Sequence, residues 1–343
     1  MKVLLYLENQ SSLSVSGIGR ALVHQQEALK ENGIEFTLNP KDDFDIVHIN
    51  SYGPKSYHLL KKCKKKGIPV VVHGHSTHED FRESFRCWKL MAPFYNHMMN
   101  RMYKRADLIV TPTPYSKELI ENYKGVNCKV VAISNGIKLE DYQYNKENVE
   151  AFKKMFNITN EKVVIGVGFY FKRKGIDDFF DVARKMPDIK FIWFGYLNKF
   201  LTTSYILKCI KHKPSNVILP GYIKGNVIKG ALYYANCMFF PTNEETEGIV
   251  ALEALATKLT LVTRDIGVYK GWLQNGVNCF KGKNNEEFID YIKKSIETDC
   301  SSIHEEGYKV VENRTLDKVG LQLKNEYELL LKKITIVNNK LVI

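Results

Sequence analysis

Short apolar runs and amphipathic stretches alternate along this chain almost from end to end. Residues 2–7 form a run that is apolar after Lys2 and closes on Glu8. Runs of similar length fall at 45–49, 70–72, 107–111 and 129–133, then at 162–167, 190–194, 217–219, 237–240 and 259–262. Runs this short and predominantly apolar, bounded by charge or glycine, predict strands buried on both faces. Between them, helical spacing predicts helices over 21–31 with Gly33 as its stop, over 117–123 with Ser116 as cap, and over 175–185. A long amphipathic helix is expected over 316–333, and 338–343 reads as a loose tail. Strands alternating with helices predict a mostly parallel sheet. The alternation lapses in the polar stretch 141–145 and then restarts. The expected fold is therefore α/β, with two Rossmann-like parallel-sheet domains facing a cleft. Their expected limits are 1–140 and 141–315, with 316–343 a C-terminal helix and tail packing back towards the first domain.

Ligands of such sheets bind beyond the carboxyl ends of the strands, so the loops there hold the candidate chemistry. After 237–240 the chain reads Pro241-Thr242-Asn243-Glu244-Glu245-Thr246-Glu247-Gly248, and Ile249, Leu252 and Leu255 then fall at helical spacing. Amides of that first turn offer unpaired donors and a positive dipole end to an anion. Glu253 lies too deep in the helix to cap it and could hold a pair of sugar hydroxyls. The alternative is an acidic first turn that only complements the dipole. After 162–167, Lys172-Arg173-Lys174 precedes Gly175 at a helix start. Three cations beside helix amides suit a diphosphate. With Glu245 and Glu253 they describe a nucleotide-diphosphate site.

The first half offers two weaker signals. Ser16-Gly17-Ile18-Gly19-Arg20 could bring Gly17 and Gly19 against a phosphate or sugar, but the third glycine and the acidic strand end of a dinucleotide fingerprint are missing. His73-Gly74-His75-Ser76-Thr77 follows the run 70–72; hydrogen bonding to a polar ligand suits it better than metal binding, since no third ligand stands near. Residues 81–105 interleave Arg82, Arg86, Lys89, Arg101, Lys104 and Arg105 with Trp88 and other aromatic and methionine side chains. That mixture suits an interfacial helix on anionic lipid. The alternative is a helical pair packing part of this surface into the core.

Composition narrows the classes. The net charge of +12 over 343 residues invites a nucleic acid, an anionic membrane or an anionic substrate. No nucleic-acid module appears, and none is expected as a partner. The seven cysteines stand singly, so neither a disulfide framework nor a zinc site is indicated. No signal peptide is read at the start, and no apolar run reaches the ~20 residues of a membrane span.

These motifs resemble, in order, those of the group-4 retaining glycosyltransferases of GT-B type. The longer strings Ser16–Ala21, His73–Thr77, Phe171–Phe179, Phe191–Gly195 and Glu244–Val250 resemble Gram-positive and mycoplasma diglycosyldiacylglycerol synthases. The resemblance covers most of the chain, to about the final helix. It implies hexose transfer, of glucose or galactose, from a UDP-hexose to a membrane glycolipid acceptor, monoglucosyldiacylglycerol, with retention and without metal or other cofactor. It implies that Glu253 holds the ribose, that Glu245 with amides of Glu247, Gly248 and Ile249 holds the hexose and phosphate, and that Lys174 with Arg173 neutralises the leaving diphosphate. His75 would meet the hexose near the reacting carbon, with His73 in the same loop. Gly17 and Gly19 would admit the acceptor, and Ile223 would lie near the uracil. Arg82, Arg86, Trp88, Lys89, Arg101, Lys104 and Arg105 would touch an anionic membrane, placing the protein on the inner face of the cell membrane in the cytoplasm. One departure is Phe169, where many relatives carry arginine; the clamp then depends on Lys174 with Arg173 or Lys172. Competing readings are the same fold acting on a capsule or other polysaccharide precursor, and a dinucleotide-dependent oxidoreductase, which the incomplete glycine fingerprint disfavours.

Overall fold

A computed structural model describes residues 1–13, 16–196 and 198–340. The chain divides into two compact units. The first comprises Met1–His78, Lys89–Lys138 and the chain from Arg314 onward; the second comprises Glu79–Trp88 and Leu139–Asn313.

The first unit carries strands β1 (Lys2–Tyr6), β2 (Glu35–Thr37), β3 (Ile46–Ile49), β4 (Val70–His73), β5 (Leu108–Thr111) and β6 (Lys129–Ala132). They form one parallel sheet in the order β2-β1-β3-β4-β5-β6. The second carries β7 (Val163–Val167), β8 (Lys190–Phe194), β9 (Val217–Gly221), β10 (Cys237–Phe240), β11 (Leu261–Arg264) and β12 (Phe280–Gly282), in the order β12-β11-β10-β7-β8-β9. That is the common Rossmann order, while the first sheet has the flavodoxin-like arrangement. Each reverses direction of winding at one point, between β1 and β3 and between β7 and β10.

The apolar runs form strands because both faces of each sheet are covered. In β1, Val3 and Leu5 enter one core and Leu4 the other, the period-two alternation of a strand. The helix Gly17–Glu31 and the final helix, Leu316–Lys340, cover the Val3/Leu5 side. These helices approach closely: a Cβ at Gly320 would drive into the Ala28 carbonyl oxygen, and Asn32 Nδ2 donates to Asp317 O at 2.9 Å.

Several boundaries differ from the sequence reading. The Gly17–Glu31 helix begins at the glycines, because Ser16 caps it by accepting from Gly19 N. Such a cap contributes about 1 kcal/mol, and it turns the expected loop into a first helical turn. Thr113, not Ser116, caps Pro114–Glu121; Ser116 completes the capping box. The final helix continues to Lys340, past the expected stop at 333, since propagating a nucleated helix costs little. Residues 338–340 of the expected tail belong to it, and 341–343 lie outside the described residues. The stretch 81–105 is not one helix. Glu83 and Cys87 adopt left-handed backbone, and the helix starts only at Trp88, running to Tyr103. The turns before it pack with the second unit: Phe85 stacks edge-on against Phe171, and Arg86 N donates to Leu201 O at 2.7 Å. A single cut at 140 therefore misses one excursion of the chain.

Candidate active site

In the second unit, the loops after β7 and β10 meet at the winding reversal of the sheet, where open α/β sheets bind ligands. Residues Lys172–Lys174 form a short 3-10 turn after β7. Gly175 ends it with φ +73°, and a Cβ there would strike the Pro241 carbonyl oxygen. This glycine is thus what lets the basic loop settle on the end of β10. The close approach sets the Lys174 ammonium, its side chain 16% exposed, in an ion pair with Oε1 of buried Glu245. Thr242 Oγ1 donates to the same oxygen at 2.8 Å, and the Phe240 ring lies 5.4 Å from Nζ. Burial pushes the Lys174 ammonium down and outweighs the opposing pull of Glu245. Burial pushes the Glu245 carboxyl up, but Lys174 and Arg173 together outweigh it and hold it below the usual range.

Arg173, expected on the diphosphate, has protein partners on several sides. Its guanidinium is buried, with Nη1 2.9 Å from Asp80 Oδ1 and 2.6 Å from Glu244 O, and Nε donating to Ser84 Oγ at 3.0 Å. It fastens the 79–88 turns to the acidic loop. Lys172 is half-exposed and pairs with Glu83 at 3.4 Å. Phe169 is partly buried and packs against Phe171 at 5.4 Å. Lys174 is the cation seated against Glu245.

Gly248, at φ +84°, turns the chain into the helix Ile249–Ala256. Tyr269, after β11, lies against this turn: its hydroxyl would be 3.4 Å from a Cβ at Gly248. Glu247 is only 1% exposed, although the sequence pointed only to its amide. Glu253 is buried one turn into the helix, and Oε1 accepts from the Tyr142 hydroxyl at 3.0 Å. Tyr142 ends the short turn Leu139–Tyr142, and its own carbonyl accepts from the Tyr233 hydroxyl. Ile223 lies half-buried in the loop after β9. The unit therefore collects a partly buried ammonium, a helix N-terminus and buried carboxylates at the carboxyl ends of its central strands, a distribution suited to an anion that also carries hydroxyls.

In the first unit, strand alternation points His48 of β3 and His73, the last residue of β4, to the same face of the sheet. This is the face covered by the helices bearing Gln25 and Tyr327. His73 stacks on His75 at 3.8 Å, and His75 Nε2 pairs with Asn50 Oδ1 at 2.7 Å. Burial lowers all three imidazoles, His73 to about 3; each is a neutral hydrogen-bonding ring. Gly17 and Gly19 lie in the first turn of the Gly17–Glu31 helix, two turns ahead of Gln25. Among the described residues no cluster of three or more His, Cys, Asp or Glu could hold a metal ion.

The sequence missed Tyr142, Asp80, Ser84, Gln25, His48 and Tyr327. Each is an ordinary polar side chain in its own segment and gains its place from a partner far along the chain.

Comparison with known proteins gives this geometry its class. The Glycosyltransferase Family 4 profile matches residues 27–141, and the Glycosyl transferases group 1 profile matches 148–310. The processive diacylglycerol alpha-glucosyltransferase of Acholeplasma laidlawii is 53% identical over 333 residues, covering 97% of this chain and 99% of that protein. The alpha-galactosylglucosyldiacylglycerol synthase of Streptococcus pneumoniae is 24% identical, covering 83% and 78%. Among solved structures, sucrose-phosphate synthase from Thermosynechococcus elongatus superposes with a TM-score of 0.81 at 13% identity, covering 97% of this chain and 100% of that one. HepE from Anabaena, solved with UDP and glucose, gives 0.75 at 15%, covering 96% and 99%. Two parallel α/β units with a basic loop and an acidic helix start are the GT-B glycosyltransferase plan, and the chain belongs to glycosyltransferase family 4. It is a hexosyltransferase, and the resemblance read from its motifs is borne out.

Proposed function

We propose that this enzyme transfers glucose from UDP-glucose, with retention, to diacylglycerol and then to the resulting glucosyl lipid. The observation that carries the substrates is the 53% identity to a processive diacylglycerol alpha-glucosyltransferase over nearly the full length of both chains. An α-linked product from an α-linked sugar nucleotide requires retention. In this reading Lys174 and the amides at the start of the Ile249–Ala256 helix take the charge of the departing UDP. Glu245 holds Lys174 in place and faces the hexose, and Glu253 binds the ribose. A phosphate oxygen takes the acceptor's proton. The test is incubation with labelled UDP-glucose or UDP-galactose and vesicles holding diacylglycerol or monoglucosyldiacylglycerol. Label should enter mono- and diglucosyl lipid from UDP-glucose; no lipid label from either nucleotide sugar would sink the reading.

Glu253→Ala should raise the KM for UDP-glucose roughly tenfold or more, as expected for lost charged hydrogen bonds. Tyr142→Phe should shift it less, because the carboxylate remains. Steady-state kinetics with UDP-glucose varied checks both, and an unchanged KM in Glu253→Ala removes it from the ribose.

We also place the helix Trp88–Tyr103 on the membrane. Leu90 is 81% exposed and Phe94 65% exposed, one helical turn apart, with Met91 beside them. Arg101 and Arg105 stack on the Tyr57 ring at 4.2 and 5.6 Å, joined by Lys61 at 5.2 Å. Apolar side chains bordered by cations suit an anionic bilayer surface. No helix among the described residues is long and apolar enough to cross a membrane. The double substitution Leu90→Ser/Phe94→Ser should abolish flotation with anionic vesicles while leaving UDP binding intact. Undiminished flotation would refute the placement.

A further inference from the structure

Phe200 is 83% exposed, more than any other large apolar side chain among the described residues, and Leu201 beside it is 48% exposed. They sit on a turn of the second unit between β8 and the helix Ser204–Lys211. The turn is braced. Asn198 Oδ1 accepts from Phe200 N at 2.9 Å, and Asn198 O accepts from Leu201 N at 2.9 Å and from Thr202 Oγ1 at 3.0 Å. Thr202 is buried, and Thr203 caps the following helix by accepting from Ile206 N. Leu201 O accepts from Arg86 N at 2.7 Å, which ties the turn to residues 79–88. Apolar side chains scattered singly over a surface are ordinary; two adjacent ones held out on a braced turn make an apolar tip.

Cations border this tip. Lys199 precedes it, and Arg82 and Arg86 are exposed in the turns to which it is bonded. Asp80 and Glu83 of the same turns pair with Arg173 and Lys172. Lys172 Nζ also lies 5.6 Å from the ring of half-exposed Tyr205, on the helix after the turn. Two side chains offer far less than the about 800 Å² that each partner of a stable protein complex buries. A bilayer needs no matching shape: it takes up an apolar tip while its anionic headgroups meet the surrounding cations. The chain sets such a surface within reach. Leu90 follows Arg86 by four residues, a length that spans at most about 14 Å, so a bilayer holding Leu90 and Phe94 comes close to this turn.

We infer that the turn 198–202 inserts Phe200 and Leu201 into the same anionic bilayer as the helix Trp88–Tyr103, so that the second unit carries a membrane contact of its own. The inference rests on the proposed membrane placement of that helix. Neither contact is large, but weak anchors on one chain reinforce each other: once the first is bound, the second meets the bilayer at high local concentration. Arg82 and Arg86, expected on the membrane from the resemblance, thereby gain apolar neighbours from a segment far along the chain.

The test uses the full chain with vesicles of phosphatidylglycerol and phosphatidylcholine in equal parts, and phosphatidylcholine alone as the control. Phe200→Ser/Leu201→Ser should lower the partition constant on the mixed vesicles roughly tenfold or more. Its melting temperature should stay at the wild-type value, since both side chains are exposed. Phe200→Trp reports the contact directly. Trp193 and Trp272 are buried, so fluorescence quenching by brominated acyl chains beyond the wild-type level comes from position 200. Such extra quenching is expected on the mixed vesicles and little of it on phosphatidylcholine. An unchanged partition constant in Phe200→Ser/Leu201→Ser, or no extra quenching of bound Phe200→Trp, would overturn the inference. The helix would keep its placement if Leu90→Ser/Phe94→Ser still abolished flotation. Flotation that is undiminished in Leu90→Ser/Phe94→Ser but weakened in Phe200→Ser/Leu201→Ser would remove the helix and leave the turn. A wild type that floats with neither vesicle would overturn both.

Discussion

Lys174→Met should lower glucosyl transfer roughly thousandfold, a loss of the size seen when a group that stabilises transition-state charge is removed. Lys174 is largely shielded in its ion pair with buried Glu245, on a loop fixed by Gly175 against the end of β10. Neither Arg173 nor Lys172 stands ready to replace it: Arg173 is committed to Asp80, Ser84 and the Glu244 carbonyl, and Lys172 pairs with Glu83. Removing the ammonium also leaves Glu245 buried with Thr242 and a guanidinium at 3.8 Å. Breaking a buried pair from one side typically costs about 3–5 kcal/mol, so Lys174→Met should melt at a lower temperature as well as lose activity. Adding Glu245→Gln removes the stranded charge. The double variant should regain much of the stability and none of the transfer. Melting curves and initial rates on the two variants separate the roles. Transfer that survives in Lys174→Met, or returns together with stability in the double variant, would remove Lys174 from the chemistry.

What the sequence made legible depends on range. Strands such as Cys237–Phe240, and Val70–Val72 within β4, read plainly because burial on both faces leaves no polar position to blur the run. The edge strands Glu35–Thr37 and Phe280–Gly282 did not: three residues, one or two of them partly exposed, carry too little pattern. The basic and acidic loops of the candidate site were legible because glycine and charge cluster at strand ends. Their internal wiring was not. Tyr142 meets Glu253 across 111 residues, Arg173 meets Ser84 across 89, and Tyr327 meets His48 across 279. No local spacing encodes such pairs. The stretch 81–105 shows the same limit in another form. Its composition suits a helix throughout, but the packing of Phe85 against Phe171 and the buried Arg173–Asp80 pair hold its first part in turns. A few long-range contacts outweigh the modest helix preference of a seven-residue segment.

Acid should unfold the first unit well before the carboxylates titrate. His48, His73 and His75 are held neutral by burial, His48 and His75 further lowered by neighbouring imidazoles. His24 in the same unit is lowered too, by burial and then Arg20. In the unfolded chain each takes up a proton near 6.5. Below that pH the unfolded state therefore binds more protons than the folded one, and stability falls as pH falls. It is complete above pH 6.5 and is lost progressively towards the folded values, which for His73 is about 3. Each fully titrating histidine contributes about 1.4 kcal/mol per pH unit, so the three stacked rings give a slope near 4 kcal/mol per pH unit. One unit below pH 6.5 should lower the melting temperature of this domain by roughly 10 °C. Calorimetry at pH 5 in buffers of different ionisation enthalpy counts the protons taken up on unfolding. About three or more are expected from this unit, and one fewer in His73→Gln, whose side chain cannot titrate. An uptake of less than one proton, or no change on His73→Gln, would mean that these rings do not stay neutral in the folded protein.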